Sequence, residues 1–389
     1  MGEFETKYLH EVTSMISGFA FKSKHMGVGE SRVVKIKNVV EPHVLIDDCD
    51  VLDETQYPAE KIAKYKLTEG DVLISMTGYL GRVAMMPSIR GTYFLNQRVA
   101  KLVPNEARDL AFIKFHLQND AFKDHCEAFT DSATAQPNIS VKSMSQFEIE
   151  WPSFENRQAI AEVLSSLDDK IDLLKRQNKT LEGMAEALFR QWFIEEAQDD
   201  WEEVELKDIA ENARNTMKPE NINQNVKLVG LEHFDSKSLV LSRYENTEEL
   251  GSQKYKFAQG QILFGKLRPY FHNIALPFFD GVCSTDILVI EAKRSTWRLF
   301  VFFFLNQDWV VEAATQSASG TRMPRTNWKF LGSLPIHFPD EKLLSEFNSI
   351  VEPIVTKMSK NWSEITLLQN QRDTLLPKLM SGEVRVQMD

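Results

Sequence analysis

Few residues of this chain carry the types and spacing that bond-making chemistry requires. Asp280 lies ahead of a strand-like run, ILVI (287–290), which ends in Glu291-Ala292-Lys293. Nucleases use that spacing of carboxylates and lysine to hold Mg²⁺. The chain repeats itself internally, however, and the matching run in its first half, VAKLV (99–103), ends without a carboxylate. No P-loop, no GxGxxG after a strand, no GxSxG and no HExxH occurs. The Asn/Asp-Pro-Pro-aromatic tetrad with which amino-methyltransferases hold a flipped base is also absent, and the eight histidines are scattered singly. The expectation is a chain without catalysis and without a metal or cofactor of its own. A Mg²⁺-dependent nuclease built on Asp280, Glu291 and Lys293 is the alternative, and an orphan assembly scaffold is a third reading.

A second set of residues suits nucleic acid. Lys and Arg beside Gly and Tyr in a loop can hold phosphates, while Asn, Gln and Arg can make bidentate contacts to base edges. In the first half these are Lys22, Lys24 and His25, Tyr79 and Arg82 in SMTGYLGR, and Asn96, Gln97 and Arg98 in FLNQR. In the second they are Lys266, Arg268, Tyr270 and His272 in GKLRPYFH, and Ser284, Thr285 and Asp286 in CSTD. Two polar runs add Gln136 and Asn138, then Thr321, Arg322 and Arg325. Each is alternatively an ordinary polar loop residue. Equivalent placement in both halves is what favours the groups.

The elements that would position these residues occur twice. TDSATAQPNISVKSMSQFEIEWP (130–152) is echoed by TQSASGTRMPRTNWKFLGSLPIHFP (315–339). FIKFHLQNDAF (112–122) matches VFFFLNQDWVV (301–311), and GDVLIS (70–75) matches GQILFG (260–265). Landmarks in one order at a near-constant offset mark a tandem duplication. Each half reads as short strands broken by Gly, Pro and Asn turns, then an aromatic helix (111–122 or 297–311), then the echoed segment and a closing strand.

After each globule the texture changes. Ile160, Leu164, Leu167, Ile171, Leu174, Asn178, Leu181, Ala185, Leu188 and Trp192 are spaced 4-3-4-3. Phe347, Val351, Ile354, Met358, Asn361, Ile365, Leu368, Arg372, Leu375 and Leu379 repeat that spacing. Such heptads predict two helices of about 50 Å paired as an antiparallel coiled coil. Matching their ends sets Asn178 opposite Asn361, a polar pair that fixes register. Pro353 and Pro377 predict kinks in the second helix. Met184, Phe189 and Phe193, off the seam, are candidates for a partner-binding surface, with end-capping core as the alternative. A rod of about 50 Å corresponds to roughly fourteen base pairs, which suits two short half-sites at a fixed gap.

At 389 residues with 43% hydrophobic and 26% charged side chains, the chain has the balance of an ordered globular protein of more than one domain. Neither an N-terminal signal pattern nor a long apolar run is present, and three scattered cysteines make no disulfide framework, which points to the cytoplasm. A net charge of −11 argues against a simple nucleic-acid binder, although a total says nothing of a local basic face.

Two segments carry a family resemblance. WPSFENRQAIAEVLSSLDDKIDLLKRQNKTLEGMAEALFRQWF (151–193) and LLQNQRDTLLPKLMSGEV (367–384) resemble the conserved helical regions of type I restriction-modification specificity subunits. The resemblance implies an α+β protein. Two similar mixed target recognition domains, 1–152 and 198–339, would be joined by spacer helices at 153–197 and 340–389 in a pseudo-twofold arrangement. It implies that each domain reads half of a bipartite double-stranded DNA site. The helices would set the gap and dock two methyltransferase subunits, which use S-adenosylmethionine to modify adenine at N6, and motor-nuclease subunits would join for restriction. Such a partner, closing around the duplex, would relieve the charge objection. One departure is that the first half begins almost at once, near Lys7, whereas the second has a WEEVEL lead-in from Trp201. Its first strand is therefore expected to be the less well anchored.

Overall fold

The computed structural model describes residues 4–130, 137–221, 225–318, 320 and 323–386. The chain forms two compact units, one of Met1–Lys170 with Leu368–Asp389 and the other of Ile171–Leu367. Both unit boundaries fall inside long helices, so each unit takes a stretch of both. The expected division sets the helices apart from the globules. Packing joins them, because each globule buries its aromatic helix against the helical seam.

In the first unit the strands are β1 Glu5–Tyr8, β2 Thr13–Ser17, β3 Met26–Val34, β4 Asp50–Leu52, β5 Lys66–Leu67, β6 Val72–Ser75, β7 Val83–Met85, β8 Tyr93–Leu95, β9 Val99–Pro104 and β10 Glu148–Trp151. They make sheets of order β2-β9-β6-β7 and β4-β3-β8-β5 and the ribbon β1-β10. The second unit has β11 Glu202–Glu205, β12 Ala210–Asn212, β13 Thr216–Met217, β14 Val226–Val229, β15 Glu245–Thr247, β16 Lys254–Phe257, β17 Ile262–Gly265, β18 Ile274–Ala275, β19 Gly281–Cys283, β20 Ile287–Ala292 and β21 Pro335–Phe338. Their order, β12-β20-β17-β18 and β15-β14-β19-β16-β13 with the ribbon β11-β21, reproduces the first unit strand for strand and adds β13 at one edge. Even the parallel pairs correspond, β3 with β8 and β14 with β19. The two halves are thus one mixed α+β fold used twice.

Two sequence-based expectations change. The first strand is not the looser one: β1 pairs with β10 over four residues, as β11 pairs with β21. The aromatic helix is a helix pair in each unit, Leu110–Leu117 with Asp120–Ala128 and Arg298–Leu305 with Asp308–Gln316. In the first pair Asn119 is extended and its side-chain oxygen accepts from the Ala121 N–H, so it caps a new helix where the apolar pattern runs on.

The first long helix, Phe154–Arg190, ends in a π turn over Gln191–Glu195, and the second spans Glu341–Met380. Pro152-Ser153 and Pro339-Asp340 precede them; the Ser153 hydroxyl accepts from Asn156 N–H and the Asp340 carboxylate from Leu343 N–H. The segment that closes each globule therefore also caps the next helix. Neither Pro353 nor Pro377 breaks the second helix, which runs through both as one element. Buried Phe347, Val351, Val355 and Met358 hold it against the core at the first. In the second unit Phe189 and Phe193 meet Phe347 while Asn178 meets Asn361, so the helices run antiparallel there. In the first, Ile160 and Leu164 cluster with Leu375 and Leu379 around Phe112 and Phe115. Burying each such phenylalanine contributes about 1.5–3 kcal/mol.

Candidate nucleic-acid interface

In both units one hairpin loop, one strand-to-strand turn and one post-helical segment are tied together by the same three backbone hydrogen bonds. The first unit's hairpin joins β6 to β7, and Met76 sits at its start. Met76 N–H donates to Arg98 C=O at 3.0 Å, Ile139 N–H to Met76 C=O at 3.0 Å, and Gly78 N–H to Pro137 C=O at 3.1 Å. The second unit repeats them with Lys266 to Asp286 at 2.9 Å, Thr326 to Lys266 at 3.0 Å and Arg268 to Pro324 at 2.8 Å. The frame thus gathers Tyr79, Arg82, Asn96, Gln97, Arg98 and Asn138 in the first unit. In the second it gathers Lys266, Arg268, Tyr270, Ser284, Thr285, Asp286 and Arg325. Gln136, Thr321 and Arg322 lie outside the described residues.

The same frame carries different chemistry in the two units. Tyr79 is exposed, with the Arg82 guanidinium 3.7 Å from its ring centroid. Gln97 and Arg98 are exposed, and Asn96 turns its side-chain oxygen back to the Arg98 N–H at 3.2 Å. Thr77 donates its hydroxyl to Asn138 at 2.7 Å. Lys22 and Lys24 are exposed on a turn beside His25, whose ring meets the Tyr57 hydroxyl at 3.0 Å; that turn follows Phe19, which bridges to Asn96.

In the second unit the position of Arg98 is taken by Asp286. Its carboxylate receives Arg325 at 3.0 and 3.3 Å, and the ion pair raises the Arg325 guanidinium above its ordinary value. A guanidinium held in a two-point clamp presents a fixed donor face, while Thr285 beside it is exposed.

Some expected residues are placed differently. His272 is buried: its Nε2 lies 2.9 Å from Asn306 Oδ1 and 3.1 Å from Asn306 O, and burial lowers its pKa. It anchors the loop and cannot face a ligand. Phe189 and Phe193 are core residues, not partner surface, with Phe193 packed 5.1 Å from Phe300 and 4.9 Å from Phe347. Their face of the helix is off the coiled-coil seam but is covered by the globule's aromatic helix. Met184 is exposed.

Phe271, exposed beside Tyr270, is a further candidate at this loop. Its signal was the run RPYFH, whose aromatic pair has no apolar neighbours to bury it. The residues of the nuclease alternative are engaged separately. Asp280 accepts from Gln259 N–H at 2.7 Å and Glu291 from the Gln261 side chain at 2.7 Å, while the backbone N–H of Lys293 donates to Ile209 C=O at 2.9 Å and leaves its amine outside both bonds. Among the described residues no group of three or more His, Cys, Asp or Glu is arranged to hold a metal, and no helix is long and apolar enough to cross a membrane.

Comparison with known proteins agrees with this geometry. Residues 1–183 match the family model of the type I restriction modification DNA specificity domain. The MjaIX type I specificity subunit of Methanocaldococcus jannaschii is 27% identical over 347 residues, covering 82% of this chain and 78% of that one. The EcoDI specificity subunit of Escherichia coli is 30% identical over 165 residues, 40% of this chain and 36% of that one. The crystal structure of the S subunit from M. genitalium has the same fold, with a TM-score of 0.57 over 99% of this chain and 97% of that one at 17% identity. The nuclease reading is not favoured, and the chain is similar to type I restriction-modification specificity subunits over most of its length.

Proposed function

We propose that this chain is the non-catalytic DNA-reading subunit of a type I restriction-modification complex, and that each unit reads one half of a bipartite duplex target. The observation that carries this reading is the frame of three equivalent backbone hydrogen bonds, which presents Arg98 and Asn138 in one unit and the Asp286–Arg325 clamp in the other. Positioning is shared and side-chain chemistry is not, as expected of two readers of different sequences. The chain's overall −11 charge accords with a partner that supplies part of the phosphate-neutralising surface. In this reading two methyltransferase subunits dock on the long helices, bind S-adenosylmethionine and modify adenine at N6. Motor-nuclease subunits complete the restriction complex, and helix length sets the gap between half-sites.

Methylome sequencing of cells carrying this chain with its methyltransferase partner identifies the target. Replacing residues 76–98 with those of a divergent relative is then expected to change one half of the methylated motif and to leave the other half and the gap intact. A change in both halves, or in neither, refutes the division of labour.

A further inference from the structure

Among the described residues, the non-glycine positions with left-handed backbone are Lys237 (φ 59°), Arg268 (φ 50°) and His272 (φ 53°). All three belong to one place, since Lys237 N–H donates to His272 C=O at 3.4 Å. The hairpin registers, Ile74 opposite Val83 and Phe264 opposite Ile274, align Arg268 with Gly78 and His272 with Gly81. Those two glycines are also left-handed, at φ 75° and 70°. The first unit thus makes the turn with glycine, and the second forces side-chain-bearing residues through the same conformation. Such strain persists only where surroundings over-determine it, and it gathers at functional sites.

The surroundings here are specific. His272 is locked onto Asn306, Lys237 donates to Asp308 at 2.9 Å, and the Ser236 hydroxyl donates to Phe271 C=O at 2.9 Å. What this bracing holds up is the turn Pro269–Phe271, with Tyr270 52% and Phe271 48% exposed and their ring centroids 4.8 Å apart. In the first unit the corresponding loop has a single aromatic, Tyr79, with a guanidinium over its ring.

We propose that Tyr270 and Phe271 form a wedge that enters the base stack of duplex DNA at the second unit's half-site, opening one base step and bending the helix there. The inference rests on the DNA-reading function proposed above. DNA is the occupant that fits, because the turn springs from the frame that carries Lys266, Thr285 and the Asp286–Arg325 clamp. The neighbouring carboxylates, Asp286 and Asp308, are already neutralised by Arg325 and Lys237. Rigid apolar side chains flanked by cations are the device by which proteins unstack and kink a duplex.

The test uses the assembled complex with its methyltransferase partner. The probes are duplexes of the methylome-derived target carrying 2-aminopurine at each second-half-site position other than the methylated base. Binding is expected to raise fluorescence severalfold at one step. The double variant Tyr270→Ala/Phe271→Ala is expected to abolish that rise and weaken binding about tenfold, with an unchanged melting profile. Tyr270→Phe should retain both. A double variant that keeps the rise and the affinity overturns the wedge, as does one whose only defect is failure to assemble with the methyltransferase, which would mark a protein contact. Loss of sequence-selective binding in the unaltered complex would instead sink the DNA-reading function itself.

Discussion

Asn361 donates from its side-chain amide to the Asn178 side-chain oxygen at 2.8 Å, in the middle of a largely apolar helical seam. Asn178 is 8% and Asn361 0% exposed, and among the described residues the Asn361 oxygen has no partner. A half-satisfied polar pair costs stability but makes any other register leave two buried amides unpaired. Replacing both by Leu is expected to stabilise the protein by about 1–2 kcal/mol in urea unfolding, while Asn178→Leu alone, which strands Asn361, costs about 1–3 kcal/mol. Cysteine cross-linking along the helices reads the register. It should broaden in the double variant, and a double variant as destabilised as its two singles combined would show that the pair is not coupled.

In the first unit the buried carboxylate of Asp168 sits between Lys114, at 3.3 Å, and Arg372, at 3.0 Å. Burial lowers the pKa of Lys114, with Asp168 opposing that shift. Asp168→Ala would leave two cations in a poorly solvated site and is expected to cost about 3–5 kcal/mol. Adding Lys114→Met should recover much of that loss. If Asp168→Ala unfolds like the unaltered protein, the network is not coupled to the core.

These two sites mark what was legible in the sequence and what was not. Asn178 and Asn361 face each other at positions where two matching heptads each lose an apolar residue, a regularity that one-dimensional spacing carries. Asp168 lies one position past Leu167 on the seam, and only the approach of Lys114 from the globule makes it a core residue. Phe189 and Phe193 failed for a similar reason, because off-seam means exposed only on an isolated coiled coil. In the recognition frame the repeated proline segments were visible, yet the hydrogen bonds that fasten them to the hairpin loops join residues about 60 positions apart. His272 looked like a ligand-binding cation because composition cannot reveal a buried imidazole.

His116 sits between Phe112 and Phe147 in the first unit, and burial alone drives its pKa from 6.5 down to about 4. A depressed value means that the folded state binds fewer protons than the unfolded state between those limits. The stability is therefore complete above pH 6.5 and is lost as pH falls through about 4. Over that window the loss is expected to reach ~3 kcal/mol. His116→Leu should flatten the slope between those limits, measured by urea unfolding at several pH values. An unchanged slope would place the acid sensitivity elsewhere.

The left-handed hairpin positions give a graded set of backbone tests. A methyl group added to Gly78 would meet nothing within 4 Å, so Gly78→Ala isolates the conformational penalty, expected at about 1 kcal/mol. At Gly81 the same methyl would lie 3.1 Å from Cys126 Sγ, adding a contact that the buried thiol must yield to, so Gly81→Ala is expected to cost more, about 2 kcal/mol. In the second unit the sign reverses, and Arg268→Gly is expected to raise the melting temperature, because it relieves the strain that Gly78 avoids. If the turn is strained in order to hold its aromatic pair in place, a complex assembled with that more stable variant should also methylate the proposed target less selectively at one half-site. A variant that is both more stable and fully selective would show that the strain serves nothing.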